Sequence, residues 1–267
     1  MLGVIVCGAA GRMGSTLVRL VHESGAMKVV GAIEFAASPQ LKKDAGEIAG
    51  AGRIGVPITS ELAPLLKGEV VVIEFSTPEA TLEHVKLAAE KKIPIVIGTT
   101  GSNQEQLAEI KKLSRRTPIL LSVNMSLGVN LLVSLLGKVA KTLGEDYDVE
   151  IIEAHHRFKK DAPSGTALAM GRAIANGLNR ELDIVGIHGR KGIVGERTKN
   201  EIGLLSVRAG DIVGDHTVIF GGIGERIEFI HRAHSRDTFA HGALRAAQWI
   251  AKQKPGLYGM QDVLGLE

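Results

Sequence analysis

The 267-residue sequence predicts an α/β fold: a doubly wound parallel-sheet domain followed by an α+β domain with a mixed or antiparallel sheet. Two patterns of apolar and helical segments along the sequence support this prediction. Short Val- and Ile-rich runs alternate with helical patterns in the first half, as in a parallel sheet that helices cover on both faces. After residue 200, strand-like runs follow one another without helices between them, which is typical of an α+β domain. We place the first domain at residues 1–126 and the second at 127–235, and expect the C-terminal helix within 236–267 to return to the first domain.

Each element follows from an apolar run or a helical pattern. In the first domain we predict strands at residues 4–7, 28–33, 70–75, 93–97 and 119–122, with helices at 13–24, 79–91 and 104–115. In the second domain we predict helices at 129–142 and 166–176, and strands at 147–155, 203–208, 216–220 and 226–231. The last long helix is predicted at 238–252.

Composition limits the classes of function. Aromatic residues make up 3% of the chain, and Lys plus Arg exceed Asp plus Glu by only 32 to 29, which argues against a nucleic-acid-binding protein. No apolar run reaches the roughly 18–20 residues that a bilayer-spanning helix needs, and the N-terminus lacks the basic region of a signal peptide. The single cysteine, Cys7, fits a reducing compartment. We therefore expect a cytoplasmic protein that binds neither nucleic acid nor membrane.

A glycine-rich turn joins the first predicted strand to the first predicted helix. Its sequence, Gly8-Ala9-Ala10-Gly11-Arg12-Met13-Gly14, follows a G-x-x-G-x-x-G pattern, and Glu34 closes the second strand. Glycines so placed form a tight turn, admit a pyrophosphate to the backbone and let the helix pack on the strand, while the acidic residue binds the adenosine ribose. We therefore predict a Rossmann-like domain that binds a dinucleotide. The alternative is a plain strand–turn–helix with a solvated Glu34.

Three further loops follow predicted strands and carry small or hydroxyl-bearing side chains. Ligands of open α/β sheets bind at the carboxyl ends of strands, although each loop could also be an ordinary turn. We expect these loops to contact the nicotinamide and its carboxamide through Ser76, Gly98, Thr99, Thr100, Ser122, Val123, Asn124 and Met125. Because Glu34 would repel a 2′-phosphate and Phe35 follows it, we expect NADH to be favoured. NADPH stays open, with Arg12 as the candidate phosphate partner.

The densest group of reactive side chains lies at residues 153–166, between the end of a strand and the start of a helix. Within it, six consecutive positions supply two histidines, an arginine and two lysines, which suits a substrate with several carboxylates. Ser164-Gly165-Thr166 begins the helix, whose N–H groups form a second anion-binding position. We predict no metal, because His155 and His156 point to opposite faces of a strand. A nucleophilic Ser164 and a solvated loop with a helix-capping serine are the alternatives.

These motifs resemble those of the 4-hydroxy-tetrahydrodipicolinate reductase family, also called dihydrodipicolinate reductases. The likeness runs from the first strand to the final helix and is carried by residues 8–14, 98–101, 153–167 and 207–214. It implies the NAD(P)H-dependent reduction of 4-hydroxy-tetrahydrodipicolinate to tetrahydrodipicolinate in the diaminopimelate and lysine pathway. It also implies a two-domain subunit in a homotetramer that assembles through the second domain's sheet.

The resemblance also implies individual roles. By position, His155 corresponds to the acid/base residue and Lys159 to a proton donor, and the substrate carboxylates would be bound by His156, Lys160, Ser164, Gly165 and Thr166. Phe35 departs from the family, because some members have an arginine there that supports NADPH. Two other functions stay open: a related dehydrogenase acting on an amino acid or a semialdehyde acid, and a non-catalytic dinucleotide sensor.

Overall fold

The computed structural model describes residues 1–266 of the chain. Clustering of the backbone separates two compact units: one comprises residues 1–127 together with the segment from 236 onward, and the other comprises residues 128–235. Each unit has its own β-sheet.

The first unit begins with alternating strands and helices. In chain order they are β1 (Leu2–Cys7), α1 (Arg12–Glu23), β2 (Met27–Ile33), α2 (Ala45–Ile48), β3 (Ile58–Thr59), a 3₁₀ turn (Ala63–Leu65), β4 (Val70–Glu74), α3 (Pro78–Lys91), β5 (Ile95–Ile97), α4 (Gln104–Leu113) and β6 (Pro118–Leu121). The helices start where the sequence offers caps: the Thr77 side chain accepts a hydrogen bond from the backbone of Ala80 at the start of α3, and Asn103 and Gln106 form a capping box on α4.

The second unit contains two long helices and the strands that follow them. Its elements are α5 (Leu127–Leu143), a 3₁₀ turn (Gly144–Asp146), β7 (Asp148–His155), α6 (Gly165–Gly177), α7 (Leu182–Val185), β8 (Gly186–Ile187), β9 (Ile202–Arg208), β10 (Gly214–Gly221) and β11 (Arg226–Ala233). The chain then contributes α8 (Asp237–Ile250), β12 (Gly256–Tyr258) and α9 (Met260–Leu264) to the first unit.

The first sheet has seven strands in the order β12-β6-β5-β4-β1-β2-β3, and every pairing in it is parallel. Buried side chains form one apolar cluster that includes α1 and α8 and another that includes α3 and α4. The order reverses at β1, because β2 lies on one side of it and β4 on the other. Ligands of doubly wound sheets bind at such a switch point. The predicted fold class of this part is confirmed.

The second sheet has five strands in the order β11-β10-β7-β9-β8. Strand β10 runs antiparallel to both β7 and β11, whereas β7, β9 and β8 are parallel, so the sheet is mixed, as predicted. Its core side chains include Ile151, Met170 and Phe220, from β7, α6 and β10.

Helix α5 and the 3₁₀ turn after it form a 20-residue stretch, Leu127–Asp146, with a mean hydropathy of 1.3 in its best window. By length and composition this stretch could cross a membrane, so the expectation that no segment reaches this limit is wrong. The core helix of a globular domain passes the same test. Val129, Leu136 and Ala140 of α5 belong to the apolar core of the second unit, which accounts for the hydrophobic face of this helix.

The structure also contains elements that the apolar pattern does not predict. The elements α2, β3, α7, β8, β12 and α9 are two to five residues long, which is too short for a periodic pattern. Strand β5 begins at Ile95, two residues later than predicted. The preceding residue is Pro94, which has no N–H to donate to a strand ladder.

Candidate active site

Two cavities lie at the carboxyl ends of the strands of the first sheet. One has a volume of about 520 Å³ and the other about 550 Å³. Gly11 of the glycine-rich turn and Phe75 and Ser76 after β4 line both, so the two cavities adjoin at the switch point of the sheet. An extended dinucleotide needs such a pair of connected spaces, one for each nucleoside.

The 520 Å³ cavity gathers ten of the predicted cofactor residues. It is lined by Gly11, Arg12, Met13, Ser76, Gly98, Thr99, Thr100, Val123, Asn124 and Met125. Phe75, Arg236 and Phe239 complete its wall. The Phe75 ring packs across Gly98, where an added Cβ would lie 2.2 Å from the ring. These loops thus form one surface, as the strand-end argument predicts.

The 550 Å³ cavity contains the predicted ribose-binding residue Glu34. Its Oε1 atom accepts a hydrogen bond of 2.8 Å from the backbone N–H of Ala10, which ties the end of β2 to the glycine-rich turn. Glu83 also lines this cavity, and no lysine or arginine stands among the described residues of its wall. Arg12, the candidate partner of a 2′-phosphate, lines the other cavity instead.

The glycine-rich turn needs its glycines for two different reasons. Gly8 has a φ of +74°, a conformation that side chains disfavour, and an added Cβ would lie 2.4 Å from the carbonyl oxygen of Phe75. At Gly14 a Cβ would lie 2.0 Å from the carbonyl oxygen of Gly8, so a glycine is needed where α1 packs on the turn. These contacts fit a cradle for a pyrophosphate at the start of α1.

Some predicted cofactor residues line neither cavity. Ala9 is buried, and its N–H donates to the carbonyl of Ile33. Ser122 donates its hydroxyl hydrogen to the carbonyl of Asn124 at 2.8 Å. Together with Ala10 and Gly14, these residues shape the turns that present the lining groups.

A buried carboxylate supports the loop between the two cavities. Oε1 of Glu74 accepts hydrogen bonds from the N–H and hydroxyl of Ser76 at 2.9 and 2.5 Å, and Oε2 lies 2.5 Å from Nδ1 of His84. Burial and the nearby Glu74 raise the pKa of the Cys7 thiol well above its usual value. Donor atoms of Cys7, Glu74 and His84 lie within 4.8 Å of one another, a cluster that the sequence did not reveal and that could hold a metal ion. Hydrogen bonds already account for this proximity.

The second unit gathers charged and imidazole groups at the carboxyl end of β7. The sheet register pairs Glu153 with His216 of β10, and His155 with Arg208 of β9, on the same side of the sheet. The Glu153 carboxylate is 1% exposed and accepts from both terminal nitrogens of Arg208 at 2.8 Å. Its Oε2 lies 2.6 Å from Nδ1 of His155. Although burial raises its pKa, the hydrogen bonds from Arg208, His155 and Ser206 hold the pKa of Glu153 at about 2.

The pKa values of the two neighbouring histidines are lowered. Burial lowers the pKa of His155, and the ion-paired Glu153 partly offsets that effect. His216 lies edge-on to His155, with ring centroids 5.2 Å apart. Burial, followed by the charges of His155 and His231, lowers the pKa of His216 to about 3, so His216 is neutral near pH 7.

Ser164 caps α6, and its hydroxyl and N–H groups form hydrogen bonds within the protein. Its hydroxyl oxygen accepts from the N–H of Ala167 at 3.1 Å and lies 3.0 Å from Nε2 of His216, while its own N–H donates to Glu153 at 3.1 Å. The Ser164 side chain is buried and caps the start of the helix, and its predicted role in substrate binding stays a prediction. Gly165 is exposed, and a Cβ there would meet nothing within 4 Å. With Thr166, it opens the first turn of α6 to an anion.

The predicted cations lie in the loop between β7 and α6. Nζ of Lys159 forms an ion pair with both carboxylate oxygens of Asp161, and this hydrogen bond lowers the pKa of Asp161. Lys160 is exposed. Within residues 1–266, Nδ1 of His156 is a buried atom without a hydrogen-bond partner. The loop therefore offers two ammonium groups and an unsatisfied imidazole nitrogen beside the helix start.

Comparison with known proteins identifies the family. Models of the dihydrodipicolinate reductase N-terminus and C-terminus match residues 2–125 and 128–264. The chain belongs to the dihydrodipicolinate reductase family. It is 54% identical over 265 residues to a 4-hydroxy-tetrahydrodipicolinate reductase of Syntrophus aciditrophicus, with 99% of each chain covered. It is 49% identical over 267 residues to one of Syntrophobacter fumaroxidans, with both chains fully covered.

The fold agrees with that of a solved dihydrodipicolinate reductase from Paenisporosarcina sp. TG-14, described as dipicolinate bound. The TM-score is 0.77 at 24% identity, and the match covers 98% of this chain and 99% of the other. Membership of this reductase family implies a nicotinamide cofactor. The two adjoining cavities and the glycine cradle at Gly8 and Gly14 fit such a group.

Sequence reasoning did not assign several residues of these dihydrodipicolinate reductase sites. Phe75, Arg236 and Phe239 of the first cavity carry no motif, and only the fold brings the start of α8 to the strand ends. Glu153 and Arg208 stand inside stretches that resemble the family but received no role. The alternation of side chains along β7 could have pointed to Glu153, because it places Glu153 on the same face of the strand as His155.

Proposed function

We propose that this dihydrodipicolinate reductase family member reduces 4-hydroxy-tetrahydrodipicolinate to tetrahydrodipicolinate, on the route to diaminopimelate and lysine. The balanced reaction consumes the substrate, one NAD(P)H and one proton, and releases tetrahydrodipicolinate, NAD(P)⁺ and one water. The observation that carries the proposal is the cluster at the end of β7, where His155, Lys159 and the start of α6 offer an acid/base group, cations and an anion site. The binding and reduction of a dicarboxylate heterocycle need all three kinds of group.

The substrate's two carboxylates match the groups around α6. The first turn of α6 at Gly165 and Thr166 supplies backbone N–H groups, and His156 and Lys160 supply side-chain donors. The relative from Paenisporosarcina is described as dipicolinate bound, and dipicolinate is likewise a six-membered nitrogen ring with two carboxylates. Two fixed anion positions orient the ring, which lowers the entropic part of the barrier.

The chemistry assigns proton handling to His155 and Lys159. When bound, a nicotinamide would supply a hydride to the ring carbon that becomes conjugated to the C=N bond as the hydroxyl leaves as water. The transferred electron pair moves into that conjugated system, and protonation of the adjacent carbon completes the product. The Lys159 ammonium can stabilise this charge and deliver the proton, and the His155 imidazole can exchange protons near neutral pH.

The cofactor preference that we propose is NADH. Glu34 and Glu83 place two carboxylates in the wall of the 550 Å³ cavity, and the described residues of that wall include no lysine or arginine. A 2′-phosphate carries up to two negative charges, which both carboxylates would repel. Arg12, the candidate phosphate partner, lines the 520 Å³ cavity and is not part of this wall.

We further propose a cytoplasmic homotetramer that assembles through the second unit's sheet. Strand β11 is an edge of that sheet, and its Ile227 and Ile230 are 36% and 49% exposed. Exposed apolar side chains on an edge strand are a liability in a monomer. Sedimentation equilibrium should give four times the mass of 28.3 kDa; a monomer at micromolar concentration would contradict the proposal.

The test of the activity is NADH consumption with freshly generated precursor, made in the cuvette from pyruvate and aspartate semialdehyde by the enzyme that condenses them. We expect rapid loss of NADH absorbance that depends on the condensing enzyme and on both of its substrates. Amino acids and semialdehyde acids alone serve as controls for a related dehydrogenase. Consumption with those compounds and none with the precursor would refute the proposed reaction.

A further inference from the structure

One buried carboxylate contacts three elements of the second unit. Glu153, on β7, accepts hydrogen bonds from His155 on its own strand, from Arg208 at the end of β9, and from the backbone N–H of Ser164 at the start of α6. Both carboxylate oxygens accept hydrogen bonds. Oε1 accepts from the Ser164 N–H and from one terminal nitrogen of Arg208, and Oε2 accepts from His155 and from the other terminal nitrogen of Arg208.

The contact with His155 determines which ring nitrogen can react. An ionised carboxylate only accepts hydrogen bonds, so Nδ1 of His155 must carry the hydrogen that is shared with Glu153 at 2.6 Å. The other nitrogen, Nε2, is then the one that gains and loses a proton. Gly214 lies beside it: an added Cβ there would be 3.0 Å from Nε2, a tight contact that would press on the ring.

The other two contacts hold the loop that carries Lys159. Arg208 donates to the carbonyl oxygen of Asp161 at 2.6 Å as well as to Glu153, which fixes the end of the loop near the ion pair of Asp161 and Lys159. The Ser164 N–H bond fixes the start of α6, where the substrate carboxylates are proposed to bind. A single charge therefore connects the acid/base group, the cationic loop and the anion site.

We propose that Glu153 is a positioning residue of the reaction, which sets the tautomer of His155 and, through Arg208 and Ser164, the placement of the cationic loop and the start of α6. This inference rests on the proposed function. Glu153 itself touches no substrate in this account, because its side chain is buried and its oxygens are occupied by protein donors.

The competing explanation is a salt bridge that only stabilises the sheet. The two explanations differ in the titration of His155, which faces Glu153 on its own strand, Arg208 on β9, His216 on β10 and Lys159 in the loop. Burial lowers the pKa of His155, Glu153 raises it, and Lys159 and Arg208 lower it. Loss of the Glu153 charge therefore moves the pKa of His155 further down, and a positioning role requires that kcat and the pH profile of the reaction change with it.

The variant that tests this is Glu153→Gln, with Glu150→Gln as its matched control. Glu150 lies on the same strand and also forms ion pairs with arginines, Arg190 and Arg197, but it points to the opposite face of the sheet. For Glu153→Gln we expect kcat to fall on the order of a hundredfold, with the KM for NADH unchanged. The limb of the pH–activity profile that His155 sets should move to lower pH. Glu150→Gln should keep the wild-type kcat and pH profile.

A second measurement needs no variant. Nitrogen-15 chemical shifts of the His155 imidazole in the wild-type protein should show hydrogen on Nδ1 and a titrating Nε2. A predominant Nε2–H tautomer would overturn the proposal, and so would a Glu153→Gln protein that behaves like Glu150→Gln. Because these shifts are recorded without substrate, they stay informative if the wild-type protein fails to reduce the heterocycle, a result that would refute the proposed function instead.

Discussion

Nζ of Lys159 lies 2.9 and 2.8 Å from the two carboxylate oxygens of Asp161, so the proposed proton donor is paired with an anion from its own loop. The Asp161 side chain is 62% exposed. Exposed ion pairs contribute little, about 0–1 kcal/mol, so a substrate carboxylate can take the place of Asp161 at small cost. The pair holds the Lys159 side chain in the loop until substrate arrives.

Replacement of Lys159 by methionine should remove the proton donor while keeping the length of the side chain. We expect Lys159→Met to lower kcat by about a hundredfold or more, the usual contribution of a positioned proton donor. NADH binding, measured by fluorescence titration, should be almost unchanged. Lys111→Met, at an exposed position on α4, is the control. A wild-type kcat in Lys159→Met would remove Lys159 from the mechanism.

Gly165 offers a way to test the anion site without disturbing the fold. A Cβ at Gly165 meets nothing within 4 Å, so Gly165→Ala should fold normally, while its methyl group would occupy open space in the first turn of α6. We expect the KM for the heterocycle to rise about tenfold or more, equivalent to about 1.4 kcal/mol of lost binding. Gly221→Ala, also in open space, is the matched control. Equal KM values for the two variants would place the carboxylates elsewhere.

The cofactor preference depends on the residues after β2. With NADH, wild-type kcat/KM should be no lower than with NADPH, because carboxylates line the 550 Å³ cavity. Phe35 is 65% exposed and lines that cavity, so Phe35→Arg should raise kcat/KM for NADPH by about tenfold through a charge-assisted contact with the 2′-phosphate. Phe35→Leu should not. A strong wild-type preference for NADPH would show that a cation from elsewhere reaches the phosphate.

The lowered pKa of His216 predicts that stability decreases in mild acid. Burial lowers this pKa from 6.5 to about 3, so below pH 6.5 the unfolded chain binds a proton at His216 that the folded chain does not. The free energy of unfolding should therefore decrease as pH falls, with His216 contributing up to about 1.4 kcal/mol per pH unit. Urea unfolding of His216→Gln between pH 6.5 and about pH 5 should show a shallower decrease than wild type. An equally steep decrease would contradict this, and exposed His22→Gln is the control.

Local patterns predicted most of the residues that line the two cavities of the first unit. The glycines at positions 8, 11 and 14 and Glu34, which follows β2, are predicted by the connection of strand, turn and helix. The remaining loops are predicted by the rule that ligands bind at strand ends. Phe75 and Arg236 were not predicted as cavity residues, because neither belongs to a local sequence motif. Arg236 stands about 160 residues along the chain from Phe75, and only the return of α8 to the first unit brings the two to one cavity.

The second unit shows where sequence reasoning reaches its limit. The cationic residues at 156–160 and the helix start at 164–166 lie in one short segment, so the sequence alone predicts that they belong together. The partners of Glu153 come from β9 and β10, and their approach depends on the register of a mixed sheet, which no short motif encodes. For the same reason, burial of the Ser164 hydroxyl against His216 could not be foreseen.

In the proposed reaction, hydride passes from the nicotinamide to a carbon of the dicarboxylate ring. The most direct measurement uses NADH carrying deuterium at the transferable position and freshly generated precursor, with mass spectrometry of the product. Direct hydride transfer should give tetrahydrodipicolinate that carries a single deuterium, formed in proportion to the NADH consumed. Unlabelled product, or consumption of NADH without product, would contradict it.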